Sequence, residues 1–155
     1  MKKFSKADQK LLAVWAVTCA ERVLPIFEKV KPKDDRPRNA LKVCREWIRT
    51  GVFSMKEIRG ASLASHAAAR EVKEKSEAAC FAARACGQAV ATAHVPQHAF
   101  GPAYYSLKII SLNPTNLESR LRKELSWQTK KLPKHLRKYW LAWQKERLPK
   151  ELKKK

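Results

Sequence analysis

Three of the four histidines have a spacing that could bind a divalent metal. His94 and His98 are four residues apart, and His66 lies on the alanine-rich segment before them. Imidazoles at positions i and i+4 of one helix can chelate a metal such as zinc, and a third histidine would complete the ligand set. Pro96 interrupts the helix between the pair, however, and residues 78–117 contain no carboxylate that could orient the ligands. We therefore expect no cofactor, and a metal-dependent enzyme built on these three histidines is the last of three functional hypotheses.

The same histidines belong to a polar group inside an otherwise apolar stretch of sequence. That group consists of His66, Arg70, Thr92, His94, Gln97 and His98. Buried polar side chains need hydrogen-bond partners, so a shared network within an alanine-packed core is the structural alternative to a metal site. The cluster could also line a small polar pocket.

The four cysteines do not indicate covalent chemistry. Cys44, Cys80 and Cys86 fall on apolar helical stretches, where a free thiol behaves as a small hydrophobic group. The six-residue spacing of Cys80 and Cys86 fits neither a CxxC redox pair nor a zinc ribbon. The glycines are scattered singly, so no phosphate-binding loop is present. Because no secretion signal precedes them, we interpret the cysteines as reduced thiols and expect a cytoplasmic protein that is not an enzyme.

The charge is unevenly distributed along the chain. The 155 residues carry 34 Lys and Arg against 14 Asp and Glu, a formal net charge of +20. Residues 1–60 contribute +8, residues 61–117 contribute +2 and residues 118–155 contribute +10. This excess permits nucleic acid, an anionic membrane surface or an acidic protein as the partner. No apolar run reaches the roughly 18 residues of a membrane span.

The basic C-terminal region suggests nucleic-acid binding as an alternative function. Its lysines and arginines are interleaved with Trp127, Tyr139, Trp140 and Trp143. Basic side chains neutralise phosphates and aromatic rings stack on unpaired bases, so the combination suits single-stranded nucleic acid. The same spacing also fits an amphipathic helix that buries its aromatic side chains and exposes its lysines.

Helical periodicity predicts an all-α fold. We expect a single compact domain of about six to seven helices around a close-packed centre, because 15 of the 43 residues from 61 to 103 are alanine. Ser5, Ser54 and Thr115 each precede an acidic residue by three positions, which is typical of a capping box. Pro25 is expected to kink or end the first helix. The domain should comprise residues 1–148, followed by a basic tail at residues 149–155.

Several separate segments bring a family resemblance. They are DDRPRNALKVCREWIRTG (34–51), ASLASHAAAREV (61–72), AARACGQAVATAHVPQHAFGPAYYSLK (82–108) and WQTKKLPKHLR (127–137). These strings resemble the bacterial immunity protein family with an immunity-five-like, all-helical domain. The stretch WAVTCAERVLPIFEKVKPKDDRPR (15–38) is similar to the N-terminal signature of that family. The similarity spans roughly residues 8 to 137.

The resemblance implies a cytosolic protein of a polymorphic toxin system that binds and neutralises a cognate toxin without enzyme activity. A +20 protein should be attracted to an acidic toxin surface, and charge complementarity would speed their encounter. On charge, the predicted partner-binding residues are Arg36, Arg38, Lys130, Lys131, Lys134, Arg137 and Lys138.

Overall fold

The computed structural model describes residues 3–148, and this part of the chain folds into seven α-helices without a strand. The helices are α1 (Lys6–Val30), α2 (Arg36–Thr50), α3 (Met55–Val72), α4 (Glu77–Ala91), α5 (Phe100–Ile110), α6 (Leu117–Lys131) and α7 (Arg137–Arg147). Short 3₁₀ turns at Pro96–Ala99 and Lys134–Leu136 precede α5 and α7. The all-α prediction is confirmed. The predicted basic tail at residues 149–155 lies outside the described residues.

Helix α4 is the centre of the fold. It packs against α1, α2, α3 and α5, and seven of its fifteen residues are alanine. Small side chains let neighbouring helices approach closely, so hydroxyl groups of α3 reach the backbone of α4. Ser62 Oγ donates to the Gly87 carbonyl at 2.9 Å, and Ser65 Oγ donates to the Ala83 carbonyl at 2.8 Å. These bonds fix the position of α3 on α4.

Helix α1 continues through its proline. The sequence predicts that the helix kinks or ends at Pro25. Pro25 lies inside Lys6–Val30, so the helix does not end there, and that part of the prediction is wrong. Proline removes one backbone hydrogen bond, but both Pro25 and Glu21, whose carbonyl loses that bond, are exposed to solvent. Water can therefore satisfy the free carbonyl. The buried side of α1, which includes Trp15 and Phe27, remains continuous.

Side-chain caps define two of the three predicted helix starts. Ser5 Oγ accepts a hydrogen bond from the Asp8 amide at 3.0 Å, and Ser54 Oγ accepts one from the Glu57 amide at 3.3 Å. The prediction for Thr115 is wrong, because α6 starts one residue later, after Asn116 in a left-handed conformation (φ 50°). Instead, the Thr115 amide donates to Asn113 Oδ1 at 3.0 Å. This local turn displaces the cap.

Aromatic side chains attach the C-terminal helices to the core. Trp140 on α7 is fully buried and stacks on Phe100 at a centroid distance of 5.9 Å. It also meets the edge of Trp15 at 5.4 Å. Trp15 Nε1 in turn donates to the Gln128 carbonyl on α6 at 2.9 Å. Within residues 3–148 no helix combines the length and the hydrophobicity that a membrane span requires.

Candidate functional site

One side of the central helix α4 is left partly open between α3 and α5. The less buried residues of α4 recur every three or four positions, as expected for a single stripe; they are Ala78, Phe81, Arg84, Gln88 and Ala91. His66 of α3 and Tyr105 of α5 contact this stripe from its two sides. We define the α4 face as this stripe together with Arg59, Ser62, His66, Arg70, His98, Tyr105 and Lys108.

The centre of the α4 face is a pair formed by His66 and Arg84. Arg84 Nη1 lies 3.0 Å from His66 Nδ1. A guanidinium group has no acceptor, so Nδ1 must accept and the ring proton must reside on Nε2. Burial of the ring, followed by the positive charge of Arg84, lowers the pKa of His66 to about 4. The imidazole is therefore neutral at physiological pH, while Arg84 keeps its charge.

Two glycines allow polar side chains to lie flat on the helices of this face. A Cβ atom on Gly87 would lie 2.7 Å from His66 Nε2, and the three nearest heavy atoms all belong to the His66 ring. A Cβ atom on Gly101 would lie 2.7 Å from the Cβ of Gln88. Both distances are shorter than real Cβ contacts allow. Glycine at these positions therefore makes room for His66 and Gln88.

His98 forms the second polar contact of the face. Its Nδ1 lies 2.7 Å from Gln88 Oε1. Because an amide oxygen can only accept, Nδ1 carries the proton, and Nε2 of the neutral ring is an acceptor. Burial lowers the pKa of His98, and the nearby His94 lowers it further.

An apolar cleft of about 290 Å³ opens at the end of the α4 face near His98. Its walls include Met55, Ile58, Leu63 and Ala91, with Arg59 and His94 at the polar rim. Large hydrophobic side chains are exposed beside it: four of the eight in residues 3–148 lie between positions 52 and 63, namely Val52, Phe53, Met55 and Leu63. Exposed apolar groups concentrated around a cleft are typical of a binding surface.

Aromatic side chains occupy the other end of the face. Tyr105 stacks on Phe81 at a centroid distance of 5.9 Å, and Tyr104 meets Tyr105 edge-on at 5.3 Å. Lys108 Nζ lies 5.4 Å from the centroid of the Phe81 ring. Burial raises the pKa of the Tyr105 hydroxyl, so it stays protonated and can donate a hydrogen bond. This end therefore offers half-buried rings and a cation.

The predicted polar cluster is only partly buried. His66 and His98 are half-buried, but Arg70 and His94 are exposed, and His94 stacks on Phe53 at 6.2 Å. The expectation of one buried network is therefore corrected for Arg70 and His94, whose side chains are exposed to solvent. Among residues 3–148, no three His, Cys, Asp or Glu side chains are grouped so that they could hold a metal ion.

Sequence reasoning missed Arg84 and Gln88, which are the direct partners of the two histidines. Their signal was present in the sequence. Positions 84 and 88 are one helical turn apart and are the polar side chains of α4 that follow its first turn. A polar pair on one side of an alanine-rich helix marks the side that its neighbours leave open.

Residues 2–135 match the family model described as Imm-5 like putative immunity protein. The match covers most of the chain, including all of α1–α6 and the whole α4 face. The chain belongs to this family. No curated protein and no solved structure matches it.

Two of the predicted partner-binding residues of this Imm-5 like protein form ion pairs within the chain. Arg36 contacts Asp34 at 2.7 Å and Glu71 at 2.8 Å, and Arg38 contacts Glu28 at 2.6 Å. The hydrogen bond from Arg36 lowers the pKa of Asp34. The two arginines therefore tie α2 to its neighbours, and a partner would have to compete with these carboxylates.

The remaining predicted residues lie at the junction of α6 and α7. Arg137 donates hydrogen bonds to the carbonyls of Leu132 and Lys130, at 2.9 and 3.1 Å, and so stabilises the end of α6. The predicted lysines of this region are exposed: Lys130, Lys131, Lys134 and Lys138. Residues 136–148 lie beyond the part of the chain that matches the Imm-5 like family.

The aromatic side chains of the C-terminal region are already packed within the protein. The guanidinium carbon of Arg22 lies 3.6 Å from the centroid of the Trp127 ring, and Trp140 is fully buried. Trp143 stacks on Trp140 at 5.5 Å, and Tyr139 meets Phe4 edge-on at 5.0 Å. These contacts match the amphipathic-helix interpretation and leave the exposed lysines as the groups available to phosphates.

Proposed function

We propose that this protein is an immunity protein that binds a cognate bacterial toxin and neutralises it by occupying a surface that the toxin needs. The observation that carries the proposal is the family match over residues 2–135. The protein would act by binding alone, without catalysis of its own. Its action would take place in the cytoplasm, where the four buried cysteines would remain free thiols.

A rigid helical surface supports this mode of action. The α3–α4 interface is held by serine–carbonyl hydrogen bonds and close alanine packing, so the α4 face loses little conformational freedom when a partner binds. Neutralisation by occlusion needs slow dissociation, and a preorganised surface favours it. The toxin would present an acidic surface, because a strongly basic one would be repelled by a net charge of +20.

Co-expression tests the proposal. A candidate toxin domain, taken from the open reading frame adjacent to this gene, is expressed from an inducible promoter in bacteria, with this protein or with an unrelated helical protein of similar charge. We expect growth to be restored only by this protein, and the two purified proteins to bind each other by calorimetry. Growth arrest in its presence, together with no binding, would contradict the proposal.

Nucleic-acid binding is the second candidate, favoured by the exposed lysines of α6 and α7. Because the neighbouring rings are packed internally, any binding would rest on phosphates and weaken steeply with salt. Fluorescence anisotropy with a labelled single-stranded oligonucleotide measures this. An affinity weaker than about 100 µM near 150 mM salt, the weak limit of non-specific binding, would eliminate the candidate.

A further inference from the structure

We propose that the α4 face is the surface on which the toxin docks, and that it takes an acidic segment carrying an apolar side chain. A carboxylate of that segment would bind Arg84, and the apolar side chain would enter the cleft between Met55 and Leu63. This inference rests on the proposed function and specifies its binding surface and the chemistry of the partner.

The use of arginine across the protein identifies this face. All twelve arginines lie within residues 3–148, and eight of them pair with a carboxylate or with a backbone carbonyl. Carboxylates pair with six: Arg22, Arg36, Arg38, Arg45, Arg49 and Arg122. Backbone carbonyls take two more, Arg120 and Arg137. Three of the remaining four, Arg59, Arg70 and Arg84, lie on the α4 face and form no ion pair among the described residues.

Apart from Glu77 at the first residue of α4, the helices that form the floor and the far wall of the face carry no carboxylate that could compete for these arginines. Residues 78–117 contain no Asp or Glu, and Glu71 of α3 pairs with Arg36 on the side of α2. Arginine binds carboxylates through two parallel hydrogen bonds, which makes it the preferred residue for this recognition. Arg84 uses Nη1 to contact His66, so the other donors of its guanidinium group remain for a partner.

The apolar part of the face completes the match. Leu63 is 54% exposed and Met55 is 42% exposed, although both line the cleft. At the opposite end, Tyr104 and Tyr105 present half-buried rings. Tyrosine and arginine are enriched among the residues that dominate protein–protein affinity, and these residues cluster around pockets. A face with uncommitted arginines, tyrosines and an apolar cleft therefore fits a protein segment better than a free anion.

An NMR titration of the labelled full-length protein tests this chemistry with a defined probe. The probe is a blocked eight-residue peptide of four glutamates and four leucines; one control peptide replaces leucine by serine and another replaces glutamate by glutamine. We expect saturable shifts of the Arg84 side chain, the His66 and His98 rings and the Leu63 and Met55 methyl groups. Both control peptides should bind about tenfold more weakly, the loss of one charge-assisted contact or one apolar anchor.

Matched variants locate the binding surface. Arg84→Gln and Leu63→Ser should each weaken peptide binding about tenfold. Lys130→Gln removes an exposed cation on α6, and Leu141→Ser removes a side chain that is 50% exposed on α7; each should change the affinity less than about twofold. Shifts confined to α6 and α7, or a larger effect of the two control variants, would overturn the inference.

The same four variants, tested for protection in the co-expression assay with the candidate toxin domain, separate this inference from the proposed function. Loss of protection in Arg84→Gln and Leu63→Ser, but not in the two controls, is the expected result. If all four variants protect as well as the wild type, the docking surface is wrong while the immunity function stands. If the wild type itself fails to protect, the proposed function fails, and the peptide titration still decides the chemistry of the face.

Discussion

Replacing Gly87 by alanine tests the geometry of the α4 face most directly. Gly87 lies inside α4 and is buried, and the Cβ atom of an alanine there would meet His66 Nε2 at 2.7 Å, Cδ2 at 2.9 Å and Cε1 at 3.0 Å. The ring would therefore have to leave its position on the helix. Moving it breaks the contact between His66 and Arg84.

Two opposing effects set the size of the change. Alanine in place of glycine inside a helix stabilises the fold by about 1 kcal/mol through helix propensity. Overpacking against a fixed side chain costs about 1–3 kcal/mol. We therefore expect Gly87→Ala to lower the free energy of unfolding by about 1 kcal/mol in the wild-type background. In a His66→Ala background the obstacle is absent, so the same substitution should raise it by about 1 kcal/mol.

Urea unfolding of the wild type, both single variants and the double variant, followed by circular dichroism under reducing conditions, measures this double-mutant cycle. The expected coupling energy between positions 66 and 87 is about 1–3 kcal/mol. Gly60→Ala serves as a control, because a Cβ at Gly60 meets nothing within 4 Å, and it should be stabilising in both backgrounds. Additivity of the two substitutions at positions 66 and 87, within about 0.5 kcal/mol, would refute the placement of the ring against α4.

Three further outcomes follow from buried groups. The pKa of His66 is lowered to about 4 from an ordinary 6.5, so the unfolded chain binds a proton first as the pH falls. The contribution of His66 to the free energy of unfolding should therefore drop between pH 6.5 and 4 by about 1–2 kcal/mol, a figure reduced for partial solvent screening. Urea titrations of His66→Gln should show a smaller drop than the wild type, because His98, whose pKa is also lowered, still contributes. Glu124 is buried and accepts hydrogen bonds from Arg22 and Gln128, both at 2.9 Å. Glu124→Ala should therefore lower the free energy of unfolding, measured in urea, by about 1–3 kcal/mol. Glu124→Gln keeps an acceptor and should lower it less. All four thiols are buried, and burial raises the pKa of Cys19, Cys44 and Cys86. A thiol reagent should therefore label the native protein slowly but react with all four thiols of the protein unfolded in urea. Rapid labelling of the native protein would contradict this burial.

The fold was largely predictable because local signals and periodicity agree along this sequence. The serine caps at Ser5 and Ser54 and the alanine-rich centre were visible as spacing alone. The two wrong predictions, at Thr115 and Pro25, concern positions where a second local interaction changed the outcome that the sequence pattern predicts. At Thr115 the turn begun by Asn113 took over the amide that the cap would have used. At Pro25 the helix continues because the carbonyl that the proline leaves free belongs to Glu21, which is exposed to solvent.

The candidate site was predictable in its residue types but not in its contacts. Both His66 and His98 belong to the predicted polar cluster, but their partners Arg84 and Gln88 come from an alanine-rich helix that the prediction treated as apolar packing. Whether a cation is free depends on which carboxylate folds next to it, and this is a tertiary property. The charge of Arg36 predicts a partner-binding residue, yet Glu71, 35 positions further along the chain, pairs with it. Arg84 lies in the near-neutral segment and remains uncommitted to any carboxylate within residues 3–148.

Arginine and lysine have different roles in this protein, and this difference would allow a protein of net charge +20 to bind one partner selectively. Within residues 3–148 arginine or histidine makes every side-chain contact with a carboxylate at ion-pair distance and lysine makes none, so the lysines carry the excess charge on the surface. Lysine is strongly hydrated and contributes mainly a long-range field, which salt screens and which speeds the approach of any acidic partner. Arginine fixes geometry through its planar fork. Selectivity should therefore reside where arginines remain free beside an apolar cleft, and the α4 face is where the described chain combines both.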